Sequence, residues 1–580
     1  MGERMSRYGA LRALPRVAKC LAENLRLPPP AARLTGREAF VGLGSLLALA
    51  LLVFGRYVVE GGFHSDDWSI AAGYALASEP RYPEIVSLLA EINGGRPLLS
   101  VFAPLPHVLF GLRPGLHIAN AITLGVLVSL LLYVLLRTVG LRRRDAGAFA
   151  VLAFLFPWSD ATRFWPTAGV TNLAICFFLL GSIVAIRGLS RRGRSAAALH
   201  AGAVALYLMS ALTYEVAAGA AMLSGVLYLT RAPWQAVRIR WLVDAVAVGI
   251  AIGYSAVVTS SVRYVPSVPY KLKVGPQDAC EAMSVLVSSF VPVRLATPVV
   301  QVAVFGAIVT ALTFLARRRL RSHLDEVRPW LVTGALGATW LIGGYAITLG
   351  SLHPLDPGAN NRGNMFAALG FALLLYSLLM AVGILWGRGA WAPRAPALVL
   401  AAAALIAVGY VDRLQRDERL WLDAQSRQKA VLASLEQLGR PAAGSTIYAF
   451  GFPAHVATAV PVFAYSWDLD GAVKLLWDDS SLAAYPIHQR LRLICDEESV
   501  RPQGFGLGRE NAASYPSALL VDVASGASFR PASQATCRAA LARLEAGPWE
   551  LRHTRSSCPL DDAARSVAAS SRRSNALNTE

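Results

Sequence analysis

The sequence predicts a polytopic all-α membrane protein of about eleven transmembrane helices, followed by an extracytoplasmic α/β domain at the C-terminal end. Three observations point there. Only 16% of the 580 residues are charged and 55% are hydrophobic, whereas a soluble protein carries about 25% charge. Long apolar runs recur from Val41 to Val411 and then stop. A hydrocarbon core of about 30 Å takes roughly 20 apolar residues in a helix, which satisfies its own backbone polar groups. Finally, the arginines of this +18 chain cluster in every second loop between those runs, the positive-inside pattern that sets orientation.

That placement also argues against nucleic acid as partner, which would need the basic residues on one shared face. Arg142-Arg143-Arg144, Arg191-Arg192-Gly193-Arg194, Arg231 with Arg238 and Arg240, Arg317-Arg318-Arg319-Leu320-Arg321, and Arg388 with Arg394 read as topogenic. Contact with anionic lipid is the alternative.

Residues 1–38 hold eight Lys or Arg, with Pro28-Pro29-Pro30 preventing one continuous helix. They are too long and too far from a small-residue cleavage site for a signal peptide, and read as a cytoplasmic tail. Span one covers 39–59. The stretch from Glu60 to Arg113 is too long for a turn and too rich in aromatics and leucines for a linker; it reads as a folded outer loop with one or two short helices. Further spans fall at 114–136, 146–158, 167–187, 196–213, 216–230, 241–262, 294–315, 329–350, 364–386 and 395–411. Inner segments then hold 26 Lys and Arg against 9 in the outer loops, so an odd span count puts the N-terminus in the cytoplasm and the C-terminus outside the inner (plasma) membrane. The core is 39–411, with 60–113 as its first outer loop. From Asp412 a charged helix runs to about Leu438, leading into an α/β domain over 412–563 whose β-type runs include Ile447-Tyr448-Ala449-Phe450; residues 564–580 read as a disordered tail.

No CxxC is present, which argues against zinc or redox motifs. Cys495, Cys537 and Cys558 lie in the C-terminal domain, where one disulfide is expected and its pairing stays open. The histidines have no HxxxH or HExxH spacing. Trp467-Asp468-Leu469-Asp470 and Trp477-Asp478-Asp479 offer carbohydrate or calcium contacts, but neither matches a calcium-loop spacing, and both read as surface loops. No Gly-rich phosphate loop appears, which disfavours a nucleotide donor.

Asp66 and Asp67, about seven residues beyond span one, are adjacent carboxylates at the outer surface beside Trp68. Their repulsion calls for a cation, an arginine or a raised pKa on one of them. An ionised carboxylate facing a hydroxyl serves as a general base; the plainer reading is a helix cap and first turn. Arg96-Pro97-Leu98-Leu99 follows about thirty residues on, and a Pro-rich apolar stretch, Leu98 to Gly111, leads into span two. This order of features, over roughly residues 40–240, resembles GT-C superfamily glycosyltransferases, in particular the protein-O-mannosyltransferase and lipid A aminoarabinose-transferase branches. The pair here is Asp-Asp where those branches have Asp-Glu, and Arg96 stands where the mannosyltransferases have His. The resemblance implies inverting transfer of a sugar from a polyprenyl-phosphate donor, with Asp66 deprotonating the acceptor. It also implies that Asp67 orients Asp66 or helps hold a divalent cation (Mg, Mn or Ca).

A phosphate leaving group needs positive charge at the surface. The outer candidates are Arg96, Arg163, Arg263, Arg294 and Arg362, Arg96 and Arg362 being expected to face the phosphate. Local readings compete: Arg163 with an ion pair to Asp160, Arg362 with a headgroup contact. Trp68, Trp158 and Trp165 either stack on sugars or form the aromatic belt. Glu215, the one carboxylate close to membrane depth, either lines the cavity or sits in an exposed turn. The expected partners are a polyprenyl-phosphate-linked sugar, an extracytoplasmic glycan, lipid or protein acceptor, and the bilayer. The rival functions are a lipid-linked glycan flippase or exporter, for which only Arg56 and Asp244 supply charges within spans, and a non-catalytic membrane scaffold.

Overall fold

A computed structural model describes residues 25–28, 34–78, 81–260, 268–290, 323–348, 354, 357–386, 394–504 and 507–544. Helix α1 (Gly36–Glu60) starts where Thr35 Oγ1 accepts the Glu38 N–H at 3.1 Å, a side-chain cap for one of its unpaired amides. Its 25 residues rise about 37 Å, enough to cross a bilayer. The loop after α1, expected on the outer side, folds as four short helices, more than expected: α2 (Asp66–Leu76), α3 (Arg81–Ile92), α4 (Pro97–Phe102) and α5 (Leu105–Phe110). Prolines at the starts of α4 and α5 suit the first turn, where no amide partner is needed.

The bundle continues with α6 (Pro114–Thr138), α7 (Arg143–Phe154), α8 (Val170–Leu189), α9 (Gly193–Thr213), α10 (Trp234–Ser260), α11 (Val268–Phe290), α12 (Leu324–Thr348), α13 (Asn364–Trp386) and α14 (Ala395–Gln437). Among the described residues eight helices are long and apolar enough to cross a membrane: α1, α6, α8, α9, α10, α12, α13 and α14. The chain is thus a multi-pass membrane protein. The span expected at 294–315 lies outside the described residues.

The crossings expected at 146–158 and 216–230 are made of broken helix. At one end of the bundle Arg143 meets Glu38 at 2.7 Å and the Leu27 amide donates to the Thr230 carbonyl at 3.0 Å. At the other, the Tyr57 hydroxyl donates to the Phe164 carbonyl at 2.8 Å and Arg96 pairs with Glu215. Glu38 and Tyr57 are about 28 Å apart along α1, so residues 143–164 and 215–230 each run from end to end. Pro157 stops α7. Leu223, with φ −97° and ψ 14°, divides the second stretch into Ala218–Met222 and Ser224–Leu229. Helix α11 is an element the apolar pattern does not announce, because Lys271, Lys273, Pro276, Asp278 and Glu281 interrupt it.

The expected boundary at 412 falls inside α14, a single helix of 43 residues and about 65 Å. Its far half enters the C-terminal domain, where Gln428 donates to the Val462 carbonyl at 2.6 Å and Ser434 to the Val523 carbonyl at 2.9 Å. The domain holds strands β1 (Thr446–Phe450), β2 (His455–Ala457) and β3 (Val460–Pro461), helix α15 (Ser466–Trp477), then β4 (Ala483–Pro486), β5 (Arg492–Cys495), β6 (Ser499–Gln503), β7 (Ala513–Ser514), β8 (Ala518–Asp522), β9 (Ala527–Phe529) and α16 (Gln534–Leu544). Its main sheet has the order β4-β1-β8-β9, with β1 parallel to both neighbours and β9 antiparallel to β8. A second sheet, β5-β6-β7, is antiparallel and is tied to α16 by the Cys495–Cys537 disulfide. Cys558 lies outside the described residues.

Two glycines let this domain seat on the bundle. At Gly358, φ is +97° and a Cβ would meet the Ala459 carbonyl oxygen at 2.2 Å; beside it the Ala359 amide donates to that carbonyl at 2.7 Å. At Gly471, α15 crosses α2 so closely that a Cβ would lie 2.5 Å from the Trp68 carbonyl oxygen. Only glycine permits either approach.

Candidate active site

The turn from α1 into α2 is built around Asp67. Its Oδ2 accepts the His64 amide at 2.8 Å, and its Oδ1 accepts the Thr167 amide at 2.8 Å together with the Thr167 hydroxyl. His64 Nε2 lies 3.1 Å from the Tyr57 hydroxyl, fixing the turn to α1. Between them Ser65 takes φ +47°, a conformation that L side chains rarely adopt and that surrounding bonds must hold. Asp67 is 2% exposed. Burial pushes its carboxyl up to about 7, against the pull of the Thr167 and His64 donors.

Asp66 is differently placed. It is half-buried at the first position of α2, and its Oδ1 accepts the Trp467 indole N–H at 2.7 Å and the Ser65 hydroxyl at 3.3 Å. Its Oδ2 accepts nothing from the described residues. Burial raises its carboxyl above the ordinary range, opposed first by the Arg362 charge and then by the Trp467 bond.

Arg362 stands at the start of α13 and takes no ion pair with a described residue. Its Nε donates to the Tyr214 hydroxyl at 3.0 Å, its Nη1 to the Ala359 carbonyl, and its guanidinium lies 5.4 Å from the Trp165 ring centre. The indole N–H of Trp165 is buried without a hydrogen-bond partner among the described residues. Arg96, directly before α4, is paired in a two-toothed fork with Glu215, through Nε to Oε2 at 2.7 Å and Nη2 to Oε1, while its guanidinium lies 4.3 Å from the Tyr214 ring centre. Tyr214 therefore links the two arginines, one at its face and one at its hydroxyl. Asp66, Arg96, Trp165, Glu215 and Arg362 are brought together, and Glu215 is no exposed turn residue.

Asp160 and Arg163, expected at the substrate, are instead fully buried supports. Asp160 accepts the Trp421 indole N–H at 2.7 Å and the Asn361 amide, which anchors α14 to the bundle. Arg163 donates to the Ser159 carbonyl at 3.0 Å, the Ser159 hydroxyl at 2.9 Å and the Phe154 carbonyl. It feels the Asp160 charge but does not reach ion-pair distance, so the expected local pair is replaced by carbonyl contacts. Arg263 and Arg294 lie outside the described residues. Trp158 is buried against Phe156 and Tyr410, and Trp68 packs between Phe63 and Phe463. Neither forms a lipid-facing belt.

A divalent cation takes about six oxygen ligands. Both Asp67 oxygens are occupied by protein donors, Asp66 offers one open oxygen, and among the described residues no group of three or more His, Cys, Asp or Glu could hold a metal. The ligand set expected at Asp67 does not form here.

The sequence allows the C-terminal domain a grip on the acceptor but does not show which of its residues reach Asp66. Trp467 and Asp468 begin α15 instead of forming a surface loop, with Asp468 capping it through the Ala464 amide at 2.8 Å and the Tyr465 amide. The capping spacing of Asp468 was available as a signal, but nothing local tells that Trp467 reaches Asp66. The Tyr465 and Trp467 rings stack with centroids 4.6 Å apart and planes 5° apart, forming one wall beside Asp66 and Arg362. His107 and His117, far apart in pattern terms, also meet, their ring centres 4.4 Å apart in a cavity of about 180 Å³ bordered by Asp67 and Thr167.

The bundle and the site at one of its ends define a multi-pass membrane protein with a half-buried carboxylate facing an arginine. No family model matches the chain and no curated protein matches it. Among solved structures the chain is similar to ArnT from Cupriavidus metallidurans, in the apo state and bound to undecaprenyl phosphate, each at 14% identity over 77% of this chain and 86% of that one, with TM-scores of 0.34 and 0.31. At such scores the superposition is loose.

Proposed function

We propose that this protein is an inverting GT-C-type glycosyltransferase that moves a sugar from a polyprenyl-phosphate donor to an extracytoplasmic hydroxyl. The observation that carries the reading is the closeness of Asp66, with one carboxylate oxygen open, to Arg362, which makes no ion pair with a described residue, at one end of the bundle. In the reaction, the acceptor oxygen attacks the anomeric carbon from the face opposite the phosphate. Its proton passes to Asp66 Oδ2, the carbon–oxygen bond to phosphate breaks, and the negative charge that develops on the lipid phosphate is held by Arg362. The Trp165 N–H is a second donor beside that charge. Arg96 is already neutralised by Glu215, so it shapes the Tyr214 wall and leaves the phosphate to Arg362. Tyr465 and Trp467 offer a flat aromatic face for the sugar or acceptor.

The compartment follows from charge. With the Arg-rich loops in the cytoplasm the site opens outside the inner membrane, and the Cys495–Cys537 disulfide suits that oxidising side. The exporter reading draws little from its two charges. Arg56 pairs with Glu60 at an exposed surface, and Asp244 accepts from Tyr228 at 2.5 Å and Ser224 at 3.0 Å.

The test is transfer from defined polyprenyl-phosphate sugars by the purified protein, with product stereochemistry read out. Arg362→Gln is expected to weaken binding of the free polyprenyl phosphate and slow transfer, while Asp66→Asn slows transfer and leaves that binding intact. Equal effects of the two substitutions on lipid-phosphate binding would overturn the division of roles.

A further inference from the structure

At the end of the bundle opposite the candidate site, a groove of about 510 Å³ opens between α1, α6 and α7. Its floor follows one face of α1 from Thr35 to Leu49, fourteen residues or about 21 Å of helix. That exceeds half of a hydrocarbon core of about 30 Å, so the groove runs from the headgroup layer to the depth where a lipid chain ends. Its inner part is lined by Leu46, Leu49, Leu130 and Val151. Two glycines hold this shaft open: a Cβ on Gly147 would meet nothing within 4 Å, and one on Gly42 would meet only Leu130 at 3.8 Å.

The mouth is cationic. Arg37 lines it and makes no ion pair with a described residue. Glu38 is held by the buried Arg137 at 2.7 Å and by the Tyr133 hydroxyl at 2.7 Å, and Arg143 joins it at 2.7 Å with its own side chain 60% exposed. Of the charged groups that line the groove, Arg37 and Arg143 are basic and Glu38 alone is acidic, and Glu38 is shared with Arg137 behind it, so the mouth carries net positive charge where the apolar shaft meets water. An apolar trough of leaflet depth ending under a net positive mouth has the complement of one molecule type, an acyl chain joined to an anionic headgroup.

We propose that this groove is a seat for an anionic phospholipid of the leaflet opposite the candidate site, with one acyl chain along α1 and its phosphate between Arg37 and Arg143. The seat is independent of any transfer reaction. By filling the space between α1 and α7 it supports the broken crossing that carries Pro157 to the outer end.

The experiment measures the thermal unfolding of the full-length protein in detergent, with added phosphatidylglycerol, phosphatidylcholine of the same chains, or glycerol phosphate. Phosphatidylglycerol is expected to raise Tm in a concentration-dependent way, phosphatidylcholine to raise it less than half as much, and glycerol phosphate to leave it unchanged. Gly147→Leu, which plugs the shaft where there is room for a side chain, and Arg37→Gln, which discharges the mouth, are each expected to reduce the phosphatidylglycerol shift by at least half. Gly42→Leu plugs the same shaft from α1 and replaces Gly147→Leu if that variant does not fold. Equal shifts from the two phospholipids, a shift from glycerol phosphate alone, or a full phosphatidylglycerol shift in the plugged and discharged variants would each overturn the proposal.

Discussion

Asp67 accepts three hydrogen bonds, whereas Asp66 takes two on one oxygen and leaves the other open, so the same substitution has different expected results at the two positions. Asn in place of Asp66 still accepts the Trp467 N–H but cannot take a proton. Transfer should fall by about 10²–10⁴-fold, the worth of a general base, with Tm unchanged. Because burial raises the Asp66 carboxyl, the wild-type rate should fall on acidification through a pKa above the usual carboxylate value of about 4. Asn at Asp67 sets an N–H donor against buried N–H and O–H donors, which costs about 1–3 kcal/mol, so Tm should drop. The Asp67 pKa is about 7 when folded and about 4 when unfolded, so the folded state binds the extra proton and this group's stabilisation is lost as pH rises between those values. Unfolding measured across that window should show a shallower loss in Asp67→Asn than in wild type.

The charged members of the candidate site were legible in the sequence because so few charged residues occupy that end of the spans. Asp66, Arg96, Glu215 and Arg362 stand out by position alone. Asp160 and Arg163 satisfy the same criterion and are buried supports, because burial among Trp421, Asn361 and Phe154 is created by packing of distant segments and leaves no local trace.

Among elements, the crossing of α15 over α2 is what brings Trp467 to Asp66. A methyl group at Gly471 would strike the Trp68 carbonyl, and backbone at a helix crossing has nowhere to retreat. Gly471→Ala should lower stability by about 1–3 kcal/mol, as overpacking does, and slow transfer by loosening the Trp467–Asp66 bond. Unchanged Tm and activity in this variant would show that the domain seats otherwise. Hydropathy placed continuous spans at 146–158 and 216–230 where broken crossings run over 143–164 and 215–230, since it averages composition and does not see the breaks at Pro157 and Leu223. It also divided α14 at Asp412, where the composition changes although the hydrogen-bonded helix does not.

In the whole molecule, α14 joins a lipid-solvated bundle to a water-solvated domain, and the two are expected to respond differently to stress. Reduction of Cys495–Cys537, whose sulfurs close a separation of 42 residues, should destabilise the C-terminal domain by about 2–4 kcal/mol and leave the helical content of the bundle intact. Circular dichroism on reduction checks this; simultaneous loss of both would mean that the domain is needed to hold the bundle together. The membrane character of the chain was legible from its charge distribution because a bilayer imposes it on every span. Docking of the C-terminal domain over the loop after α1 was not, because it depends on shape at Gly358 and Gly471 and not on composition.

The most direct measurement is single-turnover transfer from a radiolabelled polyprenyl-phosphate sugar by protein in lipid nanodiscs, wild type against Asp66→Asn. The proposed chemistry predicts a rate lower by about 10² or more in the variant, with lipid still bound. An Asp66→Asn protein that transfers sugar at the wild-type rate would contradict it.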